Sequence, residues 1–395
     1  MPAHLHSPAS PSSFAESPLS RIVRQPMMIG LFLPVQSGGF SQSSYPRATD
    51  WTFEYSKRLT LRAEAFGFDF VFGLQQWLPK GGFGGDIAYR ENFLDPFIST
   101  VALGAVTSRI VTISTVHALY GNLHPLYLAR FAATADHIMG GRFGLNIVTG
   151  YDVNEPLMFG MERIEHDRRY DRASEFSSIM EDLWANVANL DYDGEFYKLK
   201  GAAVSPKPIY GRPIMVSASA SKRGYDYAAQ HSDIVFTSSP AGAIFENAIE
   251  ALPGVTASIR DSFQARDRQG KAIIFPMIVC KPTREEAFAY RDAIADKADM
   301  VSINAYTARH KGGDGHGWVK HVPADRVLGG HIQLIGSPQD IADQIEALHK
   351  AGIDGIQIGF YDYEPELEFF AANVLPILEA RGLRQKIEAP MAEPA

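Results

Sequence analysis

Ser217–Ser221 (SASAS) stands between an apolar run and the helical stretch that begins at Lys222. Small hydroxyl residues at a helix start cap some backbone N–H groups and leave others aimed outward, a ready anion site. Lys222 and Arg223 add positive charge beside it. Another cation, Arg169, sits in HDRRYDRASEF (His166–Phe176), and its forked guanidinium can hold two phosphate oxygens at once. An ion pair with Glu165, one helical turn away, is its structural alternative. Asn146 and Thr149 fall at or just beyond the end of FGLNIV (Phe143–Val148), where an amide can both donate and accept. Thr115 and His117 are two residues apart and share a strand face if the strand IVTISTV extends that far. A hydroxyl and an imidazole so placed could position a ligand or exchange a proton. No HExxH or paired-carboxylate zinc pattern occurs, so no metal is assigned. The one cysteine, Cys280, lies in an apolar run and reads as a core residue that excludes an intramolecular disulfide.

The elements that must position these groups form a repeating pattern. Apolar runs at Met28–Pro34, Asp69–Gly73, Ile110–Val116, Phe143–Val148, Pro213–Ser217, Ile234–Thr237, Ala272–Cys280 and Gly355–Gly359 read as strands, each followed by an amphipathic stretch. Strands that are near-continuous apolar runs belong to a parallel sheet covered by helices. Eight such units predict an α/β fold, a single (β/α)8 TIM barrel with insertion segments. A doubly wound open sheet is the rival, but Gly38–Gly39 alone is no dinucleotide fingerprint. A polar hairpin is expected over Leu190–Leu199, turning at Asp193–Gly194. Met300–Gly330 is polar, rich in His, Lys and Gly, and lacks clear period, which predicts a mobile lid over the barrel mouth.

Composition narrows the class. The 395 residues are 46% hydrophobic and 21% charged, with a net charge of −8, as in an average globular protein. A mildly acidic chain without basic blocks is a poor partner for nucleic acid or an anionic membrane. The longest apolar stretch, Pro96–Ser108, is too short to span a bilayer, and the N-terminus has no signal-peptide core. These features predict a cytoplasmic protein: residues 1–24 a disordered leader, 25–380 one barrel domain, 381–395 a tail.

GGRFGLNIVTG (Gly140–Gly150), with AVTSRI (Ala105–Ile110), HPLYLARFAATAD (His124–Asp136) and HDRRYDRASEF, resembles the bacterial luciferase-like family of flavin monooxygenases over about Met28 to Leu378. FDF (Phe68–Phe70) and GGFGG (Gly81–Gly85) add a likeness to its pyrimidine oxygenases, beside alkanesulfonate and dimethylsulfone monooxygenase members. The resemblance implies a two-component enzyme taking reduced FMN from a separate NAD(P)H:flavin reductase. With O2 as co-substrate, it would oxygenate a small organic substrate (a heterocycle, or an organosulfur or halogenated compound) through a flavin peroxide at C4a or N5. It places Asn146 and Thr149 at the flavin ring and Thr115 at the oxygen pocket. Gln75, Gln76, Glu155 and Tyr170 become flavin contacts, and Arg169 and Ser221 phosphate contacts. Ser219 stands where relatives have a Gly-rich turn. His117 departs from the pyrimidine oxygenase pattern, which has alanine there, and is a candidate acid or base. Trp77, His310, His316 and Trp318 are candidates for substrate contact or lid anchoring. A homodimer or homotetramer is the family expectation. Two rival readings are an F420-dependent oxidoreductase of the same superfamily and a flavin-binding protein without catalysis.

Overall fold

Runs of β-branched and aromatic residues between helix-capping signals make the strands, and the helices that follow cover them. The computed structural model describes residues 8–119, 123–150, 152, 154–185, 189–311 and 325–387. The strands are β1 (Met28–Phe32), β2 (Phe70–Gly73), β3 (Val111–His117), β4 (Phe143–Val148), β5 (Leu190–Asp193) and β6 (Lys198–Ala202). They continue with β7 (Ile214–Ala218), β8 (Ile234–Thr237), β9 (Lys271–Ile274), β10 (Pro276–Cys280), β11 (Ile332–Gly336) and β12 (Gly355–Ile358). Eight of them close a parallel barrel in the order β1-β12-β9-β8-β7-β4-β3-β2. These eight come from the eight apolar runs, so the fold is the (β/α)8 TIM barrel. β5 and β6 pair antiparallel as the expected hairpin. Register sets Thr115 of β3 beside Asn146 of β4, and Asn146 beside Val216 of β7.

Four expectations change. The run Ala272–Cys280 is two strands: β9 stays in the barrel, while β10 leaves it to pair in parallel with β11. Pro276 has no N–H for a barrel ladder, so the switch falls there. β11 carries no signal beyond a short apolar run beside the polar stretch that precedes it.

Residues 300–311 of the expected lid form a regular helix, Met300–Lys311. Its inner face sets the buried Ser302, Ile303 and Tyr306 at helical spacing. Asp299 caps its start, accepting from the Ser302 N–H at 3.1 Å. The same carboxylate accepts from the Ile87 N–H at 3.1 Å. Gly85, at φ +77°, makes that approach possible, since a Cβ there would lie 2.2 Å from the Asp299 oxygens. His316 and Trp318 lie outside the described residues.

The stretch read as a disordered leader contains a helix, Pro18–Val23, which buries Leu19 and Ile22. Residues 381–387 of the expected tail are bound too. Leu383 and Arg384 are buried, and Arg384 pairs with the buried Asp69 at the amino-terminal end of the barrel. Cys280 is buried as expected, and burial pushes its thiol up to about 12. Among the described residues, no helix is long and apolar enough to cross a membrane.

Candidate active site

The carboxyl ends of the barrel strands open into a cleft with a cavity volume of about 220 Å³. Its wall brings together Thr115, His117, Asn146, Gln75, Gln76, Thr149, Glu155, Arg169, Tyr170, Ser219 and Ser221. Their convergence follows from barrel geometry, which gathers the ends of separate strands at one face.

One end of the cavity is polar. Ser221 caps the helix Lys222–His231, its hydroxyl accepting from the Gly224 N–H at 3.2 Å. The Ser219 hydroxyl lies 3.2 Å from that of Ser217. A Cβ on Gly224 would stand 2.7 Å from the Tyr170 hydroxyl and 2.9 Å from the Ser219 side chain, so glycine lets both close on the helix start. Arg169 and Tyr170 arrive from the first turns of the helix His166–Trp184. Glu165 caps that helix, accepting from the Asp167 and Arg168 N–H groups at 3.1 Å. The two cations expected to reinforce this end turn elsewhere: Lys222 pairs with Asp226 and Arg223 with Asp171.

At mid-cavity, Asn146 donates from Nδ2 to Thr115 Oγ1 at 3.0 Å. Its side chain is 2% exposed, and its Oδ1 is buried without a hydrogen-bond partner. A buried amide oxygen left in that state costs about 1–3 kcal/mol. Beside it, Gln75 Oε1 accepts from the His117 backbone N–H at 2.7 Å. His117 Nε2 lies 3.3 Å from the Gln75 carbonyl, and Nδ1 lies 3.6 Å from Glu155 Oε2. Glu155 Oε1 accepts from the Trp77 N–H at 3.1 Å, which ties the loop after β2 to the segment after β4.

Trp77 is not on the cavity wall. It is 39% exposed and packs edge-on against Phe159, with centroids 5.1 Å apart. Its ring fastens the outside of the loop. His310 stacks on Tyr306 of its own helix at 3.7 Å, and the two rings meet Phe83 of the loop after β2 at 6.3 and 5.0 Å.

The other end is aromatic, and the sequence reading did not find it. Phe32, Phe72 and Phe236 at strand ends meet Phe40 and Phe275, with centroid separations of 4.3–6.0 Å. His331 stacks on Phe236 at 5.1 Å. A large aromatic residue closing several barrel strands was the available signal. Arg90 and Tyr306 also line the wall and were missed, as was Asp152, which pairs with Arg309. Through Arg309, which also donates to the Trp77 carbonyl at 3.2 Å, the helix Met300–Lys311 bridges the loops after β2 and β4. Among the described residues, no group of three or more His, Cys, Asp or Glu could hold a metal ion.

Comparison with known proteins gives four findings. A family model described as luciferase-like monooxygenase matches residues 27–355. An FMNH2-dependent dimethylsulfone monooxygenase of Pseudomonas fluorescens is 32% identical, with 91% of this chain and 97% of that protein covered. A pyrimidine monooxygenase, RutA, of Allorhizobium ampelinum is 30% identical over 91% and 99%. Among solved structures, a riboflavin lyase (RcaE) with modified FMN and the substrate riboflavin superposes with a TM-score of 0.79 at 25% identity, covering 91% of this chain and 92% of that one.

Proposed function

The chain belongs to the luciferase-like monooxygenase family, and from that premise we propose that it is a two-component, reduced-FMN-dependent monooxygenase. A separate NAD(P)H:flavin reductase supplies the flavin, O2 is the co-substrate, and a small organic molecule is oxygenated. The similarity to an FMNH2-dependent enzyme over nearly the full length of both chains favours this over an F420-dependent hydride transfer.

The observation that carries the proposal is the buried Asn146 Oδ1, which faces the cavity without a partner. Such an acceptor suits an N–H that a ligand brings, as the edge of a reduced isoalloxazine does. Bound there, reduced FMN supplies the electrons that make O2 reactive toward carbon or a heteroatom. Arg169, Ser219 and Ser221 bind its phosphate, the guanidinium through a charge-assisted fork and the serines at a helix start. Thr115 orients the Asn146 amide and borders the oxygen side. Gln75, Gln76, Thr149 and Tyr170 line the cofactor. Glu155 and Gln75 flank the imidazole of His117 and fix its orientation. The phenyl cluster keeps water from the reacting centre.

The setting is the cytoplasm, where NAD(P)H and a reductase are at hand. A homodimer or homotetramer is supported by the exposed apolar Ile98, Tyr127, Phe131 and Ile138 on neighbouring helices.

The test supplies reductase, FMN, NADH, oxygen-18 gas and a substrate panel, read by mass spectrometry. Product carries one oxygen-18 atom. Asn146→Ala lowers product formation by about 100-fold or more, the scale for removing one preorganised polar contact, with its far-UV spectrum unchanged. Oxygenation by that variant at the wild-type rate would refute the assignment.

A further inference from the structure

Arg90 is 5% exposed and lines the cavity at its aromatic end. Burial of a guanidinium normally demands a carboxylate or a full set of acceptors. Three other buried arginines show the rule. Arg212 faces Asp233 at 2.6 Å, Arg384 faces Asp69, and Arg142 gives hydrogen bonds to three backbone carbonyls and the Thr107 hydroxyl. Arg90 departs from it. Among the described residues its guanidinium makes one hydrogen bond, from Nη1 to Gln76 Oε1 at 2.5 Å, its Nε is buried without an acceptor, and no carboxylate pairs with it.

The remaining surroundings are rings: Tyr89 at 5.0 Å, Phe40 at 5.7 Å and Tyr306 at 5.9 Å from the guanidinium carbon. They shape a slot and supply a modest cation–π attraction, but neutralise nothing. The acidic residues on the same wall are committed, Asp152 to Arg309 and Glu155 to His117 and the Trp77 N–H. The loop also holds Arg90 at φ +59°, a left-handed backbone that a non-glycine residue adopts only where its surroundings enforce it. Phe40 joins this cation to the phenyl cluster.

We propose that Arg90 is a substrate-recognition residue that holds the anionic head of a small organic oxyanion (a sulfonate, sulfinate or carboxylate) whose apolar body rests on the phenyl cluster. The oxyanion completes the acceptor set that the protein leaves open, and the phenyl rings accept a short alkyl or aryl body. The inference rests on the reading of this cavity as a flavin-oxygenase site and deepens it to a substrate class.

The test uses the full chain and two matched probes, hexanesulfonate and the neutral hexyl methyl sulfone. Binding of each is measured by equilibrium dialysis without flavin and again with reduced FMN under anaerobic conditions. The sulfonate binds at least about 10-fold more tightly than the sulfone, the scale of one charge-assisted contact. Arg90→Gln removes that preference, Arg90→Lys keeps part of it, and both change reduced-FMN affinity by less than about threefold, because phosphate binding lies elsewhere. Equal binding of the two probes by the wild-type chain overturns the proposal, as does a preference that survives in Arg90→Gln. The wild-type comparison stands even if a variant fails to fold. Absence of reduced-FMN binding by the wild type, with the anion preference intact, would instead strike at the flavin reading.

Discussion

At one end of the cavity the wall is made of serine hydroxyls, a helix start and Arg169, all from two short segments, Ser217–Ser221 and His166–Tyr170. At the other end it is made of phenyl rings drawn one at a time from β1, the loop after it, β2, β8 and the residue after β9. The polar end is a local device that a helix terminus can build anywhere, suited to a ligand group that does not vary. The aromatic end exists only once the barrel has closed, and each of its residues can change independently. In the proposed function, cofactor binding falls where the chain is locally constrained and substrate choice where each residue can change alone.

That contrast can be broken. Phe275→Ala removes a ring that is 4% exposed and packed against Phe32 and Phe40. It is expected to lower unfolding stability by about 3–5 kcal/mol and to turn coupled oxygenation into hydrogen peroxide release. Denaturant titration and a peroxide assay check both effects. Reduced-FMN affinity should hardly move; a loss there equal to that of a phosphate-end variant would erase the distinction between the two ends. Arg169→Ala makes the reciprocal case. It weakens reduced-FMN binding by about 1.5–3 kcal/mol, roughly 10–150-fold, without altering which substrates are accepted, as an anaerobic fluorescence titration and the substrate panel would show. Ser221→Ala is the mildest of the three. Loss of the cap costs about 1 kcal/mol in stability, and flavin affinity falls by several-fold at most, visible in a thermal melt with and without FMN.

The same contrast governs what could be read from the chain. Asn146, Thr115, His117 and the serine segment were legible because residue type, strand end and helix start fall within a few positions of one another. The eight barrel strands were legible because burial on both faces leaves an unbroken apolar run. Arg90 was not: it sits in a loop without period, and what sets it apart is the absence of a carboxylate, which no spacing rule reports. The helix Met300–Lys311 was hidden by polar residues on its outer side, although Ile303 and Tyr306 mark its inner face. The break between β9 and β10 lies inside one apolar run, where only Pro276 hints that the partner strand changes. Lys222 and Arg223 show the opposite error, since charge beside a site in sequence turned out to be spent on Asp226 and Asp171.

Beneath the barrel, Gln25 and Gln385 exchange two hydrogen bonds across a separation of 360 residues, next to the buried pair of Asp69 and Arg384. During synthesis from the amino terminus, Asp69 is made long before its counter-charge exists. The floor of the barrel therefore waits on a partner 315 residues further along the chain, and contacts of such long range are slow to form. Loss of the Arg384 guanidinium strips the buried Asp69 of its ion-pair partner and leaves it the Ile29 N–H, so the first strand and a segment more than 300 residues later share one point of failure.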